Sequence, residues 1–197
     1  MTTGKSVLAV IATLSFSVCS AGSLLYAKTA KTTKQASTHH ATSTTMTDQQ
    51  FADAAAQGGM AEVKLGQLAE DKGDNQAVKD FGKRMVTDHT KANDDLKTAA
   101  QKDNITLPDK MDAHDQAVYD RLSKLSGEAF DKAYARDMVR DHEHDIAAFK
   151  HEADDGKVTG IKDFASQTLP TLEDHLKDAR EMYHSVEPAS TTKKSGQ

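Results

Sequence analysis

The residues best equipped for chemistry in this chain are histidines set in a repeated phrase. Met85-Val86-Thr87-Asp88-His89 recurs as Met138-Val139-Arg140-Asp141-His142, and Leu172-Glu173-Asp174-His175 is a looser copy. Each histidine falls on an apolar stripe with steps of three or four residues, the spacing of one helix face. The stripes read Val78, Phe81, Met85, His89, Ala92, Leu96; then Phe130, Tyr134, Met138, His142, Asp145, Phe149; then Ile161, Phe164, Thr168, Leu172, His175, Ala179, Met182. An imidazole where a helix should bury leucine costs stability unless something pairs with it.

Two acids stand beside the histidines. Glu62 interrupts the line Phe51, Ala55, Gly58, Glu62, Leu65, Ala69, and Asp145 follows His142 at i, i+3, where both can address one ion. Glu62, His89, His142, Asp145 and His175 are therefore the candidate metal ligands, a polar layer across an apolar bundle. Imidazole and carboxylate donors suit zinc, iron, copper or manganese. The competing expectation is a purely structural layer, each histidine satisfied by a carboxylate of the next helix. Asp88, Asp141 and Asp174 precede the histidines by one and point roughly 100° away. They are expected on solvated faces or behind the ligands rather than as ligands. Tyr134 reads as core, and His114, His144, His151 and His184 as surface.

These residues need helices to position them. Thr47 and Gln50 form a capping box, with Met46 and Phe51 as its staple, and predict a helix running to about Lys72 with Gly73-Asp74 as its stop. Gly58 and Gly59 within it would admit a close neighbour. A second helix covers about Asn75 to Lys102, joined by so short a turn that the two must be antiparallel. Residues 103–126 hold Pro108 and a short amphipathic piece, about Asp112 to Lys124, long enough for a crossover. A third long helix runs from Ser126 to near Gly156. A fourth runs from Thr159 to Val186, interrupted and kinked by Pro170. Residues 62–81 align without a gap on 145–164 with five identities in twenty. That likeness pairs the first hairpin with the second in an approximate two-fold. Glu62 then corresponds to Asp145, and His89 to His175 after three extra residues.

Composition fixes the class. Trp is absent, three prolines occur in 197 residues, and a net charge of −5 with no basic stripe argues against nucleic acid. The one cysteine, Cys19, lies in the leader, so the folded part has no thiol chemistry. Residues 1–27 read as an export signal, with Lys5 before the apolar run Val7 to Val18 and cleavage after Ala21 or Ala27. A lipoprotein processed at Cys19 and an uncleaved anchor over Val7 to Ala27 are the alternatives. Residues 28–45, with His39-His40, read as a disordered linker, 46–186 as the bundle, and 187–197 as a polar tail.

Several of these phrases together resemble a bacterial family. They are Gly59-Met60-Ala61-Glu62-Val63, Met85 to His89, Gly127-Glu128-Ala129-Phe130-Asp131-Lys132-Ala133-Tyr134, Met138 to His142, and Leu169-Pro170-Thr171-Leu172-Glu173-Asp174-His175. The chain is similar over about residues 48–186 to an exported family of unknown function. That family is often labelled predicted outer membrane protein and grouped in the ferritin-like superfamily. The resemblance implies a ferritin-like bundle and an exported location, and the family's label points to envelope or outer-membrane association. With the short helix read in residues 103–126, the fold expected is an all-α, ferritin-like four-helix bundle with a short extra helix in the connection, and the leader directs it to the periplasm. Dinuclear iron members of the superfamily carry Glu-x-x-His on two helices. Here Val86 and Leu172 stand where those glutamates would be, which argues against a di-iron oxidase or iron store.

Overall fold

The computed structural model describes residues 46–187, which are all-helical. The expected leader, the linker with His39-His40 and the tail beyond Glu187 lie outside them. Helix α1 spans Asp48–Lys72, α2 Gln76–Asp103, α3 Ala113–Leu122, α4 Gly127–Asp155 and α5 Thr159–Val186. The expected capping box opens α1: the Thr47 hydroxyl accepts from the Gln50 N–H at 3.2 Å, and the Gln50 side chain accepts from the Thr47 N–H at 2.9 Å. Asn75 caps α2, whose far end turns at Asn104 with φ 57°, a left-handed conformation asparagine tolerates.

Helices α1 and α2 form one antiparallel hairpin and α4 and α5 the other, with α2 packed on α5 and α1 on α4. Each hairpin closes the turn of its partner. Asp131 of α4 accepts from the N–H groups of Asp74 and Asn75 at 3.2 and 2.8 Å. Asp48 of α1 accepts from those of Lys157 and Val158 at 3.0 and 2.6 Å. The offset that aligns residue 62 on 145 also carries Asp48 to Asp131 and 74–75 to 157–158, so the two-fold of the sequence is a two-fold of hydrogen bonds. It also makes α2 and α4 parallel. Their connection must therefore travel the length of the bundle, and it does so with α3 lying on α1 and α4.

The apolar core is divided in two. One cluster gathers Leu65, Leu68, Phe81, Met85, Phe130, Tyr134, Met138 and Met182, and the other Phe51, Leu96, Phe149, Ile161, Phe164 and Leu172. Between them along every long helix lies a buried polar residue: Glu62, His89, His142 and His175.

Two local expectations change. An added Cβ at Gly58 would meet nothing within 4 Å, whereas at Gly59 the expected close neighbour is present as the Asn93 side chain of α2, closer than van der Waals contact to where a Cβ would stand. The approach of backbone to backbone is elsewhere, at Gly66 and Gly82, where a Cβ on either would lie 2.6–2.7 Å from the other's carbonyl oxygen. The second concerns α5, which is not interrupted at Pro170 but continues through it as helix. Pro170 and Ser166 are both exposed, so water can serve the carbonyl that loses its N–H partner.

Candidate metal centre

Helices α2, α4 and α5 each contribute one histidine to the bundle axis because each keeps its apolar register through that position. The ring centroids of His89 and His175 and of His142 and His175 are 5.4 Å apart, and those of His89 and His142 6.1 Å. One ring nitrogen from each lies within 4.8 Å of those of the other two. The residues are 6 %, 1 % and 1 % exposed for His89, His142 and His175.

The hydrogen bonds fix which nitrogens are bare. His142 Nδ1 donates to the Met138 carbonyl at 2.9 Å, leaving Nε2 with a lone pair and no partner. His175 Nε2 donates to Asp88 at 2.8 Å, leaving Nδ1 without a partner. His89 Nε2 is likewise buried and unpartnered. Asp88 is itself held by Arg84 at 3.2 Å, and Arg84 also pairs with Asp178 of α5. Carboxylate–histidine pairs of this kind orient metal ligands and raise their basicity.

Burial keeps the three imidazoles neutral. It pushes His89 well below the ordinary value, with His142 and His175 adding to the effect. His142 is pushed down to about 4, again chiefly by burial and then by His175. Burial lowers His175 too, against the opposing pull of Asp88. Three imidazole nitrogens thus lack hydrogen-bond partners, and for His142 and His175 the bond on the other ring nitrogen makes the bare one a lone pair, the kind of donor a cation could use.

Glu62 belongs to an adjoining group. Its carboxyl is 1 % exposed, both oxygens lack partners, and one lies within 4.8 Å of an Asp141 oxygen and a His142 nitrogen. Burial and then the Asp141 charge raise Glu62 well above the ordinary carboxylate value. Asp145 stands apart from both groups: its side chain is 28 % exposed and lies 3.6 Å from His144. Asp174 is exposed, whereas Asp88 and Asp141 are drawn inward. Tyr134 is core, stacked on Phe130 at 5.5 Å, and its hydroxyl is unpartnered. The residue with most influence that the sequence left undecided is Asp88, whose only signal was the Asp-His doublet.

In comparisons with solved structures the chain resembles a DUF305 fragment from Deinococcus radiodurans (TM-score 0.61, 13% identity, 70% of this chain and 95% of that one). It also resembles a DUF305 protein from Streptomyces coelicolor (TM-score 0.60, 13% identity, 71% and 92%). At such identity the likeness concerns the fold alone. Among curated proteins none matches. A family described as "Domain of unknown function (DUF4142)" matches residues 32–182, most of the chain, and the protein belongs to that family.

Proposed function

We propose that this protein is an exported helical bundle that binds one divalent transition metal through His89, His142 and His175, in metal handling or oxidative-stress defence. The observation that carries this reading is the convergence of three buried, partnerless imidazole nitrogens, two with their tautomers fixed from behind. Three neutral imidazoles with a fourth position open suit zinc or copper better than iron or manganese, which favour carboxylate oxygen. The crossover between parallel helices agrees with a ferritin-like arrangement, and Val86 and Leu172 turn that arrangement away from di-iron chemistry. Export rests on the Lys5 and Val7–Val18 leader; the Streptomyces relative in structure is described as secreted. Among the described residues no helix is long and apolar enough to cross a membrane.

The competing reading is a non-catalytic envelope protein whose polar layer only fixes helix register. It requires partners for the inward nitrogens, and the lack of a protein partner for them among the described residues favours the metal reading over it. The test is zinc titration of the full chain, purified without a histidine tag and stripped with chelator. One zinc per chain is expected, with binding lost in His89→Ala and in His175→Ala. Absence of binding, or binding indifferent to both changes, would leave the structural layer.

A further inference from the structure

A centre this deeply buried needs a path for its metal. Two grooves approach it. The one between α2 and α5 mixes charges: Arg84, Lys91 and Lys102 line it together with Asp88, Asp95 and Asp163, and its innermost acid, Asp88, is already held by Arg84 and His175. The other is a cavity of about 380 Å³ between α1, α3 and α4. Asp112, Asp115, Asp137, Asp141 and Asp145 line it with Arg140, His114 and His144, the last paired with Asp145. Asp137 is paired with Arg121 and Arg140, which leaves the others to set its field. The crowding shows in Asp115, pushed to about 6 by burial and by Asp112 and Asp141. Of the lining residues, Asp141 has a carboxylate oxygen within 4.8 Å of Glu62 and of a His142 nitrogen; Glu62 lies behind the lining, buried, and its two oxygens have no hydrogen-bond partner.

We propose that this acid-lined cavity is a cation-loading site: a divalent metal is taken by the Glu62 and Asp141 oxygens and passed through His142 to the three-histidine centre. The proposal rests on the metal-binding reading above. His142 has one free lone pair, so it cannot serve both positions fully at once, and sharing it favours transfer over two resident ions. A low-dielectric cleft with an excess of carboxylates raises the local concentration of cations. Helix α3 has a corresponding role, since it forms the outer wall and supplies Asp115.

The test is the rate at which the stripped full chain removes Zn²⁺ from a chromophoric chelator in a stopped-flow instrument. Glu62→Gln and Asp141→Asn should each slow loading at least about tenfold, yet still reach one zinc at equilibrium. Asp95→Asn and Asp163→Asn, in the α2–α5 groove, should load at the wild-type rate. Asp115→Asn, on the cavity wall away from the core, should also slow loading if the inner variants fold poorly. Unchanged rates in Glu62→Gln, Asp141→Asn and Asp115→Asn, or slowing by the α2–α5 pair instead, would overturn the route and leave the centre standing. Loss of equilibrium zinc in Glu62→Gln would make Glu62 a ligand of the centre, and would also overturn it. A wild-type chain that takes up no zinc at all removes the centre and the route together.

Discussion

Asp88 determines which nitrogen of His175 faces the bundle axis. Replacing it with Ala frees Nε2 and lets the ring turn, so zinc affinity measured by chelator competition should fall about 10- to 100-fold. Unaltered affinity would mean that packing alone orients the ring. Glu62 behaves in the opposite sense to a surface acid. Its folded-state value lies above the unfolded one, so ionising it penalises the fold as pH rises past the ordinary carboxylate range. Metal-free Glu62→Gln should therefore match wild type near pH 4 and be the more stable of the two at pH 7, as read from urea midpoints. Equal midpoints at both pH values would show that Glu62 finds a partner. The three inward histidines were legible because helical period alone puts them on one face. The partner of His175 was not. Asp88 points about 100° from His89, and only the packing of α2 on α5 turns that direction into a hydrogen bond. Glu62, expected in one layer with the histidines, sits with Asp141 and His142 rather than among all three histidines.

At the scale of elements, helix boundaries followed from caps and turn residues, since Thr47, Asn75 and Gly156 satisfy terminal backbone groups locally. Which glycine two helices share is a tertiary matter: the sequence pointed to Gly58-Gly59, of which Gly59 does face Asn93 of α2, and missed Gly66 and Gly82, where the backbones meet. Gly66 and Gly58 predict opposite outcomes. Gly66→Ala forces a methyl against the Gly82 carbonyl, a backbone atom that cannot rotate away, and should cost about 1–3 kcal/mol. Gly58→Ala meets open space in a helix interior and should stabilise by about 0.5–1 kcal/mol. Denaturant melts of the two variants check both signs. The reciprocal capping by Asp48 and Asp131 escaped the sequence for the same reason: each serves a turn on the other hairpin, far away in the chain.

At the scale of the whole molecule, the polar layer makes the metal-free bundle sensitive to acid. The histidine values are depressed in the fold, so the stability that neutral His142 contributes is full above about pH 6.5 and declines as pH falls toward about 4. Metal-free wild type should lose on the order of 1–3 kcal/mol relative to His142→Ala across that window. A constant gap would mean that His142 does not titrate there. The central claim is that the layer is a metal centre, and thermal melting of wild type and His142→Ala, each with zinc and with chelator, tests it most directly. Zinc at about a hundredfold excess over its Kd should add about 2.7 kcal/mol to wild type, raising Tm by roughly 5–10 °C over the chelated protein, and should leave His142→Ala unmoved. A wild-type Tm that is the same in zinc and in chelator, or an equal rise in both proteins, would contradict it.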